Sequence, residues 1–319
     1  MSAVSLTIGL GSTPYTQALF DGSVRPANIE LHLESRFGEG LDNVGARHRM
    51  IVAGKLDGGE LSISSFILAR LRGVPLRALP VFLSRRFRLR CMYCRVESSL
   101  RDPSELAGKK VTVHRYNATT PVWLKGILQN EFGVKPTDIE WHVAEPDIAE
   151  EAQRPPPPEI RVRFIPPPRT REHAIELVEQ GEIEAALEPY PLHSNPKMRY
   201  LMEDFRRAEK EFFRRTGAYT INHLFALREE TAKAHPEIVP SLLIALREAN
   251  SVADRYRDEK QKSEAAWERE VMGEEFSYSL KAGCARRSLD TLMDYQIQQG
   301  ILERKPELED LFFPEIFHF

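Results

Sequence analysis

Short apolar runs of strand type alternate with segments of helical spacing along the whole chain. The strand-like runs lie at 6–10, 29–33, 79–82, 92–96, 111–113, 139–143, 183–187 and 219–227. The helical segments lie at 17–20, 45–56, 66–71, 122–128, 171–180, 203–215, 236–257 and 280–299. Alternation of this kind, with short connections, predicts an α/β fold in which helices cover a mostly parallel sheet.

The length of 319 residues favours two α/β lobes over one compact domain. We predict a discontinuous first lobe made of residues 1–104 and 221–319, and a second lobe made of residues 105–220. The apolar segment 219–227 is then the crossing back to the first lobe. Prolines concentrate in residues 144–170, and because polyproline runs cannot join a sheet interior, we expect a surface excursion there.

The stretch from Glu105 to Leu128 combines a strand, a polar loop and the start of a helix. We expect Thr119 and Thr120 at the N-cap and Pro121 at the first helical position. Helix starts at the carboxyl ends of strands present free N–H groups to anions. The threonines could hold an anion or act only as caps, and Ser64 and Ser65 offer the same two readings in the first lobe.

The composition describes a protein without bias toward nucleic acid or membranes, since the net charge is -3 and 29% of residues are charged. No apolar run approaches the length of a membrane span, and the start lacks the basic and apolar regions of a signal peptide. Three cysteines fit a reducing cytoplasm. We interpret Cys91 and Cys94 as two buried thiols, and because the histidines show no ligand-like spacing, we predict no metal site.

Several motifs together resemble one enzyme family from end to end. They are ALFDGSVRP (18–26), ELSISSFILARLRG (60–73), LPVFLSRRFR (79–88), DPSELAGKKVTV (102–113), TTPVWLKGILQNEFGV (119–134), RRTG (214–217), QQG (298–300) and LFFPE (311–315). The chain resembles the 4,5-dihydroxyphthalate decarboxylases. The resemblance implies a two-lobed fold like that of type 2 periplasmic binding proteins, with the ligand in a cleft between the lobes.

The resemblance also implies a cytoplasmic decarboxylase of a hydroxylated aromatic acid, in a pathway of aromatic or phthalate degradation. Such a reaction needs no redox cofactor, so we expect no cofactor; a homo-oligomer is compatible with the sequence. The small aromatic carboxylate is the expected substrate, and Arg85 and Arg88 match family positions in the loop that also holds Ser84. We expect the two arginines to bind the substrate carboxylate, because a guanidinium binds carboxylate bidentately. The alternative is a solvated basic loop or an ion pair between lobes.

The proton donor is expected to be a histidine. His223 matches a family position, and a histidine near its ordinary pKa can donate a proton at neutral pH; a buried, hydrogen-bonded histidine is the alternative. His114 is the second candidate, and Tyr116 could orient a ring hydroxyl or simply pack. Further binding candidates at strand ends are Ser12, Thr13, Glu188 and Tyr190.

The sequence departs from the family at strand ends that face the expected cleft. Residues 13–16 replace a usual Asp-Arg pair, His114 and Arg115 replace a usual Pro-Glu, and Leu89 replaces a frequent histidine. Two alternatives therefore stay open beside the decarboxylase. One is a non-catalytic protein that binds a small anion, and the other is a different lyase on the same fold.

Overall fold

The computed structural model of the chain describes residues 3–36, 43–146, 154–189, 192, 194–273 and 276–318. Within these residues the strands are β1 (Val4–Gly9), β2 (Ile29–Glu34), β3 (Gly58–Ser62), β4 (Leu76–Arg85), β5 (Met92–Arg95), β6 (Lys110–Val113), β7 (Glu140–Val143), β8 (Arg161–Phe164), β9 (Ala185–Leu187), β10 (Met198–Tyr200) and β11 (Ile221–Arg228). The α-helices are α1 (Gln17–Phe20), α2 (Asn43–Val52), α3 (Ile63–Leu71), α4 (Thr119–Phe132), α5 (Arg171–Gln180), α6 (Phe205–Thr216), α7 (Glu229–Ala234), α8 (Ile238–Ser251), α9 (Glu259–Met272), α10 (Cys284–Gln298) and α11 (Leu308–Leu311).

The first sheet has the strand order β2-β1-β3-β11-β4. Strand β1 runs parallel to β2 and β3, whereas β11 runs antiparallel to both of its neighbours, β3 and β4. The side chains of β3 are buried along the whole strand, as expected for a central strand that helices cover on both faces. This sheet is built from the beginning of the chain and from the return strand β11.

The second sheet has the strand order β10-β5-β9-β6-β7-β8. Strands β9, β6, β7 and β8 are mutually parallel, and β5 is antiparallel to β10 and β9. Strands β5 and β11 are each the first strand after the chain passes from one sheet to the other. The two sheets agree with the mostly parallel α/β architecture that the alternation predicts.

One strand belongs to a different sheet from the one that the sequence indicated. The lobe boundary at residue 104 places Met92–Arg95 in the first lobe, but this strand is hydrogen-bonded between β10 and β9 of the second sheet. The chain therefore crosses earlier, in the turn at 86–91. The boundary was predicted too late because the capped turn at 102–106 leads directly into β6 and so resembles the start of a lobe. Strand β5, which precedes this turn, belongs to the same sheet as β6. The other boundaries stay predictions.

Helix α4 belongs in sequence to the second sheet but packs against the first. The indole Nε1 of Trp123 donates a hydrogen bond to the carbonyl of Ile221 over 2.8 Å. Gly126 faces Tyr295 of α10 so closely that an added Cβ would lie 2.1 Å from the ring. The absence of a side chain at Gly126 therefore sets the spacing of α4 and α10.

The proline-rich segment rejoins the fold at a sheet edge. Strand β8 pairs in parallel with β7 alone and so forms the end of the second sheet. The prolines at 155–158 and 166–168 lie before and after this strand, where they interrupt no sheet hydrogen bonds. Of the helices in the described part of the chain, none has the length and apolar character needed to cross a membrane.

Candidate active site

A cavity of about 100 Å³ lies between the two sheets, and we call it the interlobe cavity. On the side of the first sheet it is formed by the ends of β3, β4 and β11. On the side of the second sheet it is formed by the turn after β6, the start of α4 and Pro189, shortly after β9. Ligand sites of open α/β sheets form at such strand ends. The residues that line it are Val44, His48, Ser62, Ser84, Arg86, Arg88, His114, Arg115, Ala118, Thr119, Thr120, Pro121, Pro189, Asn222 and His223.

A carboxylate holds the ring of His223 in the cavity wall. The Nδ1 atom of His223 lies 2.6 Å from Oε1 of Glu60 on the neighbouring strand. Residue 223 pairs in register with Ser62 and residue 225 with Glu60, so the two side chains are diagonal neighbours across β11 and β3. A hydrogen bond at Nδ1 fixes the orientation of the imidazole and leaves Nε2 for a ligand.

Glu60 is buried and is bound by three donors. Besides His223, it accepts hydrogen bonds from Nη2 of Arg47 at 2.9 Å and from the N–H of Gly11 at 3.1 Å. Burial alone would raise the pKa of this carboxyl group, but the hydrogen bond and charge of His223 and the charge of Arg47 hold the pKa well below its usual range. Glu60 is therefore a carboxylate throughout the neutral pH range.

A glycine lets the strand of Glu60 approach β1. Gly59 has a φ of +149°, and a Cβ at this position would lie 2.0 Å from the carbonyl oxygen of Gly9. Only glycine fits this approach, which brings the loop after β1, with its Gly11 N–H group, within reach of the Glu60 side chain. The acidic residue is thus placed by local backbone geometry as well as by its ion pair.

A second imidazole contacts His223 from α2. The rings of His48 and His223 meet edge to face, with centroids 5.2 Å apart. His48 is only 1% exposed, and neither ring nitrogen has a hydrogen-bond partner among the described residues. Burial, helped by the charges of His223 and Arg47, lowers the pKa of His48 well below its ordinary value. His48 is therefore a neutral imidazole beside His223.

Two arginines from the turn after β4 supply positive charge. The guanidinium of Arg88 is 1% exposed, its Nε has no hydrogen-bond partner, and no carboxylate of the described chain pairs with it. Its side chain hydrogen-bonds to Cys91, and burial together with the charge of Arg86 lowers the pKa of Arg88. Arg86 donates from Nη2 to the carbonyl of Pro189 at 3.3 Å. A buried guanidinium with no carboxylate partner is suited to bind an anion.

The start of α4 binds the first lobe through its side chains. Thr119 Oγ1 accepts a hydrogen bond from the N–H of Ser64 at 3.0 Å and lies 2.7 Å from the hydroxyl of Ser62. Thr120 donates to Oδ1 of Asn222 at 3.0 Å. The expectation of an N-cap at residues 119–120 is wrong, because the helix begins at Thr119 after Ala118 and the threonine hydroxyls bond to the opposite lobe.

His114 lines the cavity from the second lobe, next to an acidic residue. Its Nδ1 lies 3.8 Å from Oε1 of Glu145, whose other oxygen accepts a hydrogen bond from Nη2 of Arg115 at 2.5 Å. Arg115 also donates to the carbonyl of Pro146. The positive charge of Arg115 is thus partly balanced by Glu145, unlike that of Arg88.

Three of the predicted residues are buried in packing contacts away from the cavity. The ring of Tyr116 covers the Nζ of Lys125 at 3.3 Å and packs against Trp141. Ser64 accepts a hydrogen bond from Nε2 of Gln296 at 3.0 Å, and Ser65 is buried within α3. The packing alternative accounts for Tyr116, whereas the capping alternative is wrong for Ser64 and Ser65, because the N-cap of α3 is Ser62 and both serines lie inside the helix.

Three more candidates bind other side chains, and none of them lines the interlobe cavity. Glu188 pairs with Nε of Arg171 at 3.0 Å, and Ser12 donates a hydrogen bond to Oε1 of Gln17 at 2.6 Å. The N–H of Thr13 donates to the hydroxyl of Thr16. Tyr190 lies outside the described residues.

Arg85 lies on the opposite side of β4 from Ser84 and Arg86. Its guanidinium sits between the rings of Tyr15 and Tyr278, at 4.3 and 5.4 Å from their centroids. It lines a separate cavity of about 330 Å³, which we call the Arg85 cavity. The expectation that Arg85 shares a site with Arg88 is wrong, because Arg85 points to the opposite face of β4 from its neighbour Ser84, which lines the interlobe cavity together with Arg88. The structure does bring together Ser84, Arg88, His114, Thr119, Thr120 and His223.

Three residues of the cavity region were not predicted from the sequence: Glu60, His48 and Arg86. Glu60 stands in the quoted ELSISS motif, and an acidic residue in an otherwise buried strand is a usable signal for a charged partner. Arg86 follows from the alternation of side chains along β4. His48 has no such signal, because its position depends on how α2 packs against β3.

Among the described residues, no group of three or more histidine, cysteine, aspartate or glutamate side chains is arranged to hold a metal ion. Cys91, Cys94 and Cys284 are buried, and none of them forms a disulfide within the described part of the chain. The interpretation of the first two as buried thiols is therefore confirmed.

Comparison with known proteins gives relatives over nearly the full chain. The chain is 28% identical to the 4,5-dihydroxyphthalate decarboxylase of Comamonas testosteroni, over 98% of both chains. It is 27% identical to the 4,5-dihydroxyphthalate decarboxylase of Pseudomonas putida, over 67% of this chain and 83% of the other. No family model matches the sequence.

Solved structures with the same fold include periplasmic binding proteins. The aliphatic sulphonate binding protein SsuA from Escherichia coli superposes with a TM-score of 0.58 at 15% identity, over 98% of this chain and 92% of the other. A sulfonate-binding SsuA from Methylobacillus flagellatus gives a TM-score of 0.59 at 11% identity, over 100% and 94%. The predicted two-lobed fold of type 2 periplasmic binding proteins is confirmed.

Proposed function

Because the chain is a distant full-length homologue of 4,5-dihydroxyphthalate decarboxylase, we propose that it is a carboxy-lyase that removes CO2 from a hydroxylated aromatic acid in the interlobe cavity. The observation that carries the proposal is the pairing of His223 with the Glu60 carboxylate in the wall of a cavity that also holds Arg88. In this proposal His223 transfers a proton and Arg88 binds an anionic group of the substrate.

The proposed reaction exchanges a carboxylate for a proton on an aromatic ring. A hydroxyl ortho or para to the leaving carboxylate pushes electron density into the ring, and the imidazolium of His223 donates its Nε2 proton to the carbon that carries the carboxylate. The carbon–carbon bond then breaks, CO2 leaves, and the bonding electrons restore the aromatic ring. His223 recovers a proton from solvent. Glu60 stabilises the imidazolium form by accepting the Nδ1–H hydrogen bond.

The cations of the cavity are assigned to substrate binding. Arg88 would bind an anionic group of the substrate, since no carboxylate of the described chain pairs with it. Such a contact aids catalysis only if it does not stabilise the charge of the departing carboxylate. An interaction that stabilises the substrate as much as the transition state does not accelerate the chemical step. We therefore assign Arg88 to a second anionic or phenolic group of the ring and not to the leaving carboxylate.

His48 has a positioning role in this scheme. Its neutral ring contacts the edge of the His223 ring and occupies space that water would otherwise fill. A neutral neighbour also avoids the repulsion that a second imidazolium would impose on His223.

The test is a CO2-release assay on purified protein with a panel of hydroxybenzoates and hydroxyphthalates, with and without EDTA. We expect turnover of at least one acid that EDTA does not reduce, and incorporation of deuterium from D2O at the ring carbon that lost the carboxylate. His223→Gln should reduce turnover by about 100-fold or more while substrate affinity is largely kept. The control is His32→Gln, an exposed histidine on β2. Turnover of His223→Gln equal to that of the control would remove His223 from the acid role.

A binding protein without catalysis is the competing function. Two solved structures of the same fold are sulfonate-binding proteins, and a buried arginine in the cavity would serve binding equally well. Tight binding of one aromatic acid without release of CO2 from any member of the panel would favour this function and reject the carboxy-lyase.

A further inference from the structure

The Arg85 cavity lies behind the strand that forms one wall of the interlobe cavity. Arg85 projects from one face of β4, while its neighbours Ser84 and Arg86 line the interlobe cavity on the other face. The volume of about 330 Å³ is in the range of small-molecule sites and exceeds that of the interlobe cavity. The proposed carboxy-lyase reaction makes no use of this cavity.

Guanidinium groups and phenol rings alternate along the cavity wall. The guanidinium carbon of Arg257 lies 5.0 Å from the ring centroid of Tyr15. That of Arg85 lies 4.3 Å from the same centroid and 5.4 Å from the ring centroid of Tyr278. Arg247 lies 5.7 Å from the Tyr278 centroid. Contacts of this kind hold guanidinium groups against aromatic faces and stabilise their positive charge.

The positive charges of the cavity outnumber the acidic partners in the described chain. Arg257 pairs with Asp254, whereas the hydrogen-bond partners of Arg85 in the described chain are uncharged: the carbonyl of Phe82, Oδ1 of Asn250 and the hydroxyl of Tyr278. The Nε of Arg247 is buried without a hydrogen-bond partner in the described chain, and no carboxylate there pairs with it.

The buried acid of this cavity is already occupied by donors. Glu268 accepts hydrogen bonds from the hydroxyl of Tyr219 at 2.5 Å and from the N–H of Phe87 at 3.2 Å. Burial raises the pKa of Glu268, so its negative charge is disfavoured. Two partly buried guanidinium groups, those of Arg85 and Arg247, therefore face the cavity without a carboxylate from the described chain. A bound anion there would offset the cost of removing their charges from water.

We propose that the Arg85 cavity is a second ligand site that binds a small organic carboxylate between Arg85 and Arg247. A carboxylate matches the paired N–H edges of a guanidinium, and the apolar side chains of Met272 and Phe276 in the same wall suit an organic body. The proposal does not depend on the reaction in the interlobe cavity, and it holds whether the chain is an enzyme or a binding protein.

The test is calorimetric titration of the full-length chain with sodium benzoate at constant ionic strength. Arg88→Gln serves as the background, because it weakens binding in the interlobe cavity. We expect this variant to bind one benzoate per chain, and the added substitution Arg247→Gln to weaken that binding by about tenfold or more. The matched control adds Arg255→Gln instead, since Arg255 is exposed on the adjoining turn and does not line the cavity. The control should bind benzoate like the background.

Three results would overturn the proposal. They are absence of benzoate binding in the Arg88→Gln background, equal benzoate affinity with and without Arg247→Gln, and a site that takes inorganic phosphate but not benzoate. Thermal unfolding of each variant checks that it is folded. If Arg247→Gln does not fold, Arg247→Lys keeps the charge but loses the bidentate fork, and we expect it to weaken benzoate binding measurably while the Arg255→Lys control does not.

Discussion

Replacement of Glu60 by glutamine tests the arrangement to which we assign a role in both stability and the proposed reaction. In the native chain the carboxylate accepts hydrogen bonds from Arg47, Gly11 and His223 in a region where the Arg47 and Glu60 side chains are 4% and 5% exposed. Glutamine has nearly the same shape but lacks the charge. Its single carbonyl oxygen can serve Arg47 and Gly11, and its NH2 group must then face Nδ1 of His223.

The expected cost follows from leaving Arg47 buried without a counter-charge. Removing one partner of a buried ion pair costs about 3–5 kcal/mol, and because glutamine keeps one acceptor we expect the lower end, about 3 kcal/mol, in the free energy of unfolding. The NH2 group donates to Nδ1 and so selects the neutral tautomer of His223 with its proton on Nε2. Loss of the imidazolium should reduce turnover by about 100-fold to 10,000-fold.

The pH dependence of stability provides a second, independent test of the role of Glu60. The pKa of Glu60 is held below that of an unfolded glutamate, so its stabilisation is complete above about pH 4.3 and is lost as the pH falls through the folded value. The stability difference between the native chain and Glu60→Gln should therefore shrink as the pH drops below about 4.

The assays are urea unfolding between pH 3.5 and 7.5 and CO2 release with the best substrate of the panel. Glu229→Gln is the matched control, because Glu229 lies between Arg70 and Arg77 at the far end of the same sheet and outside both cavities. The control should lose stability but keep turnover. The reasoning is refuted if Glu60→Gln unfolds within about 0.5 kcal/mol of the native chain or keeps its turnover.

Three further changes test other parts of the structure. Arg88→Gln should raise KM by about tenfold to 100-fold with a smaller effect on kcat, and an unchanged KM in the CO2 assay would remove Arg88 from substrate binding. His48→Gln should make the free energy of unfolding less sensitive to pH between 7 and 5. The folded pKa of His48 is depressed, so the native chain loses up to about 2 kcal/mol of unfolding free energy as the unfolded histidine takes up a proton below about pH 6.5. An equal pH dependence in the variant would contradict this. Gly126→Ala should lower the free energy of unfolding by about 1–3 kcal/mol because its Cβ meets the ring of Tyr295; restoration by the second substitution Tyr295→Val would confirm the cause, and failure of that substitution to restore stability would reject it.

The sequence was sufficient for the parts of the fold that depend on periodicity. Alternation of apolar runs and helical segments predicted the mostly parallel α/β architecture. Helix α5 was predicted at 171–180 with both ends as observed, because Thr170 caps its start and Gly181 ends it. Strand β5 was placed in the wrong lobe. Its sheet is decided by long-range pairing with β9 and β10, and no local pattern records that pairing.

The candidate site shows the same division between local and long-range information. His223 and Arg88 reach one cavity, whereas Arg85, three residues before Arg88, faces the other side of β4. Strand alternation would have separated Arg85 from Ser84, but the sequence suggested a loop at 84–88, where β4 in fact continues to residue 85. The partnership of His223 with Glu60 joins residues far apart in the chain and could be found only once the order of the strands was known.

The hydrogen bonds from the start of α4 to the first lobe have a kinetic consequence. Thr119, Thr120 and Trp123 bond directly to Ser62, Asn222 and Ile221 across the cavity wall. We expect a ligand larger than the cavity of about 100 Å³ to enter only when these contacts separate, so that its association rate depends on how often they open and not on diffusion alone. Substituting valine for Thr120 would then quicken both association and dissociation of the ligand, and the bimolecular rate would depend steeply on temperature.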